Sequence, residues 1–321
     1  MFEKFAAIVG NTFTESIRQP IFVVMLIVGA LLLVLNPSLS AYTLDDDNKL
    51  LTDLGLSTIF LGGLFLAAFT ATGVLSREIE NKTVLSVISK PIGRPMFVVG
   101  KFFGVAGALS VAFWVWSIIF LLTARHKVMS TASDEFDMPV ILFGTAAVLV
   151  ALGVSIWGNY FYGWIFSSTF SGWLAVTLGI AWFFVLLISS KWEVQSLATD
   201  IKPQLLIALA LILEAVWVLC AIAIACSTRM KQVMTLVVYL AVFLVGLSSD
   251  YIFGTYSETY PIAKLLYAIA PNMQVLWLAD ALTQENPVTL TYLGTVSGYT
   301  ALYTAAVLSL AVALFQTRQV S

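Results

Sequence analysis

Histidine and cysteine are almost missing from this 321-residue chain: His126 is its single histidine, and Cys220 and Cys226 are its two cysteines. One imidazole cannot build a histidine-based catalytic cluster or a zinc site. The cysteines are six residues apart in one apolar run, on different faces of a helix, so neither a disulfide nor a thiolate metal site is indicated. Charge is scarce as well, with 11% charged residues against 60% hydrophobic ones. A soluble fold of this size could not hide that much apolar surface, so lipid has to be the solvent for much of the chain.

A phosphate-binding loop is lacking too. Gly100-Lys101 is followed by Phe102, where Ser or Thr would have to meet magnesium, and the upstream glycine spacing is wrong. The chain is therefore not expected to hydrolyse a nucleotide or to hold a cofactor. No zinc-protease helix, nucleophile elbow or membrane-embedded acid pair is visible.

What is present is a succession of apolar runs. They predict an all-α polytopic membrane protein organised as one transmembrane domain over 1–321, with about eight transmembrane helices. Residues 2–17 place Phe2, Phe5, Val9, Phe13 and Ile17 at spacings of three and four, which predicts an amphipathic helix over 1–19 in the membrane interface. A cleavable signal peptide is the rival reading, with Ser38 to Ala41 as its cleavage site. The nineteen residues before the apolar run carry no net positive charge, which counts against it. Spans are expected at about 20–36, 55–75 and 100–123, two more within 139–190, then about 204–226, 232–248 and 296–315. The pair within 139–190 should turn near Ser167-Ser168-Thr169, ringed by Trp157, Tyr160, Tyr162, Trp164 and Trp173 as an aromatic belt. Ser168-Thr169 and Ser227-Thr228 read as a faint echo of a duplicated hairpin. Residues 249–296 form an outer-face loop with two short amphipathic helices. One carries Ile262, Leu265, Leu266 and Ile269, and the other Val275, Leu278, Ala279 and Leu282.

Loop charges orient these spans. With eight crossings both termini share a side, which holds ten basic residues and four acids, whereas the opposite side holds six basic residues and thirteen acids. Lysine and arginine favour cytoplasmic loops, so both termini are expected in the cytoplasm. That side includes residues 77–100, a charged, proline-punctuated stretch. Ile79, Val84, Leu85 and Ile88 supply one apolar side of a short helix over 79–88, which Lys90-Pro91 stops.

Within this stretch Arg77-Glu78-Ile79-Glu80-Asn81-Lys82-Thr83, then Ser89-Lys90-Pro91-Ile92 and Gly100-Lys101-Phe102, resembles the cytoplasmic loop of type-2 ABC exporter permeases that accompany a separate ATPase chain. Leu265-Leu266-Tyr267, Pro271-Asn272 and Asp280-Ala281-Leu282 resemble the outer-face helices of the same family. The hairpin in 139–190 departs from its usual six spans. The resemblance implies the membrane subunit of an ATP-driven exporter in a bacterial cytoplasmic membrane. It would be paired with a second permease, as homo- or heterodimer, and with cytoplasmic ATPase subunits that hold the ATP and magnesium. Nucleic acid is not among the expected partners; membrane lipid is. Arg77 through Thr83 would dock on the ATPase as part of a coupling helix, with Glu78 and Glu80 as polar contacts, and Val84, Leu85 and Ile88 would seat that helix against the bundle. The plainer reading is a stop-transfer loop whose basic residues set topology.

Two features within the spans are also candidates. Glu214 is the one ionisable residue near the middle of a span, at a cost of about 2.5–3.5 kcal/mol if it faced lipid. It is either a contact on the substrate path or a carboxyl bonded to a neighbouring helix. Gly63, Ala67 and Ala71, at i, i+4 and i+8, form a small-residue stripe. It serves a subunit interface, a path lining or packing within the bundle. An ion-coupled carrier using Glu214 is the competing function, but carriers of that kind use broken helices, and no proline or glycine interrupts Leu205 to Cys226. A non-transporting membrane anchor or assembly factor is the third.

Overall fold

The structure, a computed structural model, describes residues 2–41, 47–80, 93–129, 135–283 and 288–316; for 75–80, 280 and 283 it describes the backbone alone. These residues are almost wholly helical. In chain order the helices are α1 (Phe2–Arg18), α2 (Pro20–Ser40), α3 (Asp47–Glu80), α4 (Arg94–His126), α5 (Met138–Tyr162), α6 (Phe166–Leu187), α7 (Pro203–Ser227), α8 (Gln232–Leu247), α9 (Pro261–Ile269), α10 (Ala279–Thr283) and α11 (Leu290–Gln316). Prolines open several of them, where the missing N–H costs nothing.

Among the described residues, seven helices are long and apolar enough to cross a membrane: α2 through α7, and α11. The eighth expected span is shorter than required. It forms α8, with 16 residues and a length of about 24 Å, whereas a crossing takes about 20 residues. The cause lies at its end, where Ser248 leaves α geometry and the chain passes into a π-turn at Asp250–Gly254. Gly246 there meets the Pro271 carbonyl so closely that a Cβ would come within 2.6 Å of it. The direction of α8 still alternates. Its Tyr239 hydroxyl donates to the Leu64 carbonyl of α3 at 2.9 Å, and its Phe243 ring meets Phe60 at 5.7 Å. The two helices therefore run antiparallel, and α1 and the end of α11 lie at one end of the bundle.

The core is centred on α4 and α7. Trp116 of α4 is inserted between α2 and α3, its indole N–H donating to the Leu26 carbonyl at 3.0 Å. Gly29 and Gly62 make room for the ring, since a Cβ at Gly29 would stand 2.6 Å from it. By contrast α5 and α11 keep most of their surface outside the bundle.

Local corrections follow from turn chemistry. The α5–α6 turn falls at Gly163, not at Ser167–Thr169. Gly163 takes the left-handed conformation (φ 66°) with its N–H on the Asn159 carbonyl, and the two serines and threonine lie in the first turn of α6. Ser227 and Thr228 instead close the C-terminus of α7, so the faint echo is not a structural repeat. The aromatic residues around the turn are exposed, Tyr160 most of all. Between α8 and α11, helix α9 presents Ile262, Leu265 and Ile269 at the surface, as a surface-embedded helix does. The second expected amphipathic helix is instead a 3-10 turn at Gln274–Leu276 followed by the one-turn α10. Met273, Leu276, Leu278 and Ala279 are buried, and Trp277 lies 5.5 Å from Phe60.

Candidate functional site

The backbone of α3 remains helical through Glu80, so Arg77, Glu78, Ile79 and Glu80 are its last turn and no separate helix begins at 79. Nothing after Gly73 breaks the pattern, and Arg, Glu and Leu are good helix formers. Asn81, Lys82, Thr83, Val84, Leu85 and Ile88 lie outside the described residues, as does the rest of 81–92. At 34 and 33 residues, α3 and α4 are each about 50 Å long, well beyond a hydrocarbon core of about 30 Å. The charged ends that flank 81–92 therefore project beyond the apolar part of the bundle.

That end is tightly framed. Helix α1 runs alongside the start of α4 in the same direction, with Ile8, Thr12 and Phe13 facing Gly100, Gly104 and Gly107. A Cβ at Gly104 would stand 2.5 Å from Thr12 Cβ and 2.8 Å from the Val9 carbonyl oxygen. The glycines are there for helix approach. Lys101 is buried beneath α1, its Nζ 3.5 Å from a Glu15 carboxylate oxygen and over the Phe97 ring at 5.7 Å. The pair that looked like a fragment of a phosphate loop thus joins two helices. Arg94, at the first position of α4, donates to the carbonyls of Phe315 and Gln316 at the C-terminus of α11. There it satisfies end carbonyls and meets the negative end of the helix dipole. Phe97 stacks on Phe315 at 5.6 Å.

Glu214 accepts hydrogen bonds from two hydroxyls of α11, Ser297 Oγ at 2.6 Å and Thr300 Oγ1 at 2.8 Å. Among the described residues no ionisable group pairs with it. The carboxylate thereby acts as a polar clasp between α7 and α11. Gly63, Ala67 and Ala71 are buried within the chain. Gly63 abuts Val216 of α7, where a Cβ would come within 2.5 Å.

Sequence reasoning missed Arg125. Its side chain is 8% exposed and pairs through Nε with Asp137 at 3.0 Å and through Nη1 with Asp200 at 3.2 Å. It also donates to the carbonyls of Val185 and Ile188. Asp137 additionally caps α5 by accepting from the Val140 N–H at 3.3 Å. One guanidinium thus ties α4, the α5 start, the α6 end and the loop before α7. The available signal was an arginine directly after an apolar run with acids in both neighbouring loops.

Residues 6–157 match the model of the ABC-2 family transporter protein. Over these residues, just under half of its length, the chain is similar to the type-2 ABC permease family. Proteins of that family are membrane components and not themselves catalytic. The matched stretch runs from α1 into α5, taking in the α1–α4 frame and the segment between α3 and α4, and ends just before the Gly163 turn. The outer-face motifs lie beyond it. No curated protein matches the chain at a significant level.

Proposed function

We propose that the chain is the membrane-spanning subunit of an ABC exporter, in which a separate ATPase docks around Arg77–Thr83 and drives substrate movement. The observation that carries this reading is the family match across 6–157, because it includes the whole segment between α3 and α4. The frame at that end supports it physically. A push on the segment would enter α3 and α4 directly, and the contacts of Lys101 and Arg94 would pass it to α1 and α11 as rigid elements. In this reading the framed end faces the cytoplasm, in accord with its excess of lysine and arginine. The membrane is a bacterial cytoplasmic membrane, and a second permease completes the transporter.

The test is co-purification. An ATPase chain should accompany the wild-type permease, and the Glu78→Lys, Glu80→Lys double variant should release it while inserting normally. A wild-type permease that brings down no ATPase would end this reading. Inverted vesicles then check direction, with ATP-dependent accumulation expected inside.

A further inference from the structure

At the end of the bundle away from the α1–α4 frame, a cleft of about 70 Å³ opens among α4, α6 and α7. Its charged lining is Arg125, Lys127, Lys202 and Asp200, and its walls include Trp182, Leu205 and Leu206. Lys127 directly follows α4 and Lys202 directly precedes α7, so both ammonium groups are anchored where spans leave the apolar layer.

The charges here are unbalanced. Arg125 uses the carboxylates of both Asp137 and Asp200. Neither lysine forms an ion pair among the described residues. Burial lowers the pKa of Lys202 below lysine's ordinary value, and the charge on Lys127 pushes it the same way, while Asp200 opposes them. Two cations thus face one cleft, with the nearby carboxylates already engaged by an arginine. Lys127 also has φ 63° and ψ 177°, a backbone region that is essentially glycine's alone. Such a residue persists where its surroundings over-determine it, and strain of this kind clusters at ligand-binding positions.

We propose that this cleft binds the phosphate of an anionic phospholipid in the adjacent leaflet. Lys127 and Lys202 hold the headgroup, and an acyl chain lies along Trp182 and Leu206. Charge complementarity selects an anion, because two ammonium groups face one cleft and the carboxylates beside them are engaged by Arg125. The apolar wall selects an amphiphile, since half-buried Trp182 and exposed Leu206 continue it onto the outer surface of the bundle. Arg125 positions the cleft by holding Asp200 and the α6 end in place, and does not itself need to reach the ligand.

The proposal is tested on the full-length chain in detergent, by titrating short-chain phosphatidylglycerol, phosphatidylcholine and inorganic phosphate against the melting midpoint. Phosphatidylglycerol should raise the midpoint, and the other two should not. Combining Lys127→Gly with Lys202→Gln should raise the half-saturating concentration by about tenfold or more. The lipid-free midpoint should stay at or above wild type, because glycine accepts the backbone of position 127 without strain. Lys202→Gln alone should give a smaller shift, and serves if the double variant does not purify. Lys264→Gln, an exposed lysine on α9, should respond as wild type. An equal effect of phosphatidylcholine, an equal effect of inorganic phosphate, an unchanged response in both Lys202 variants, or an equal loss in Lys264→Gln would each overturn it.

Discussion

Lys101 Nζ lies 3.5 Å from Glu15, with 3% of the lysine side chain exposed and 38% of the glutamate. This contact, between an amphipathic first helix and the foot of a central span, shows how the framed end of the bundle is held. Only the lysine is desolvated, whereas the glutamate still reaches water.

Lys101→Met should therefore destabilise the chain by about 1–2 kcal/mol. That is below the roughly 3–5 kcal/mol of a fully buried pair, because Glu15 can turn to water. A lower melting midpoint together with faster hydrogen exchange in α1 than elsewhere would show it; uniform exchange across the bundle would count against the clasp.

Gly104→Ala should cost about 1–3 kcal/mol by overpacking, since the Val9 carbonyl 2.8 Å from the new Cβ is backbone and cannot swing away. Gly10→Ala is the control, with nothing within 4 Å, and should gain up to about 1 kcal/mol from helix propensity. Melting midpoints should move in opposite directions.

Replacing Arg125 with Leu leaves Asp137 without its guanidinium and frees two carbonyls, an expected loss of about 3–5 kcal/mol. Arg125→Lys should recover only part of it, because one ammonium cannot span partners on three segments. Hydrogen exchange should rise first at 185–200; a loss confined to α4 would show that the arginine does not join the hairpin to the bundle.

If the chain works as the proposed exporter subunit, Glu214→Gln should leave its ATP-driven transport near wild type, since an amide can still bond Ser297 and Thr300. Glu214→Leu should lower stability by about 0.6–1.7 kcal/mol, the range for interhelical hydrogen bonds in membranes. Transport lost in Glu214→Gln, with the ATPase still bound, would favour a proton or substrate contact instead.

Apolar run length and sequence-local charge carried most of the architecture into plain view. Each span from α2 to α7 was legible because a helix in lipid must satisfy its own backbone and present apolar residues continuously. The α1 stripe was legible for the related reason that amphipathic spacing is a local property. The run at 232–248 was counted as a span although its helix, Gln232–Leu247, is only 16 residues long, because hydropathy reports that a segment avoids water and not that it is long enough to cross. The π-turn at Asp250 and the close approach of Pro271 to Gly246 set that limit. At the candidate site, sequence singled out Arg77–Glu80 and Glu214, but not what surrounds them. That Glu214 clasps Ser297 and Thr300, that Gly100 and Lys101 are seats for α1, and that Arg125 is a four-way pin depend on residues far apart in the chain. Composition and periodicity determined that this protein lives in a membrane and which segments cross it. Only tertiary packing decided which scarce charges are structural and which two lysines are left facing a cleft, because a buried charge is defined by the partner that three dimensions bring to it.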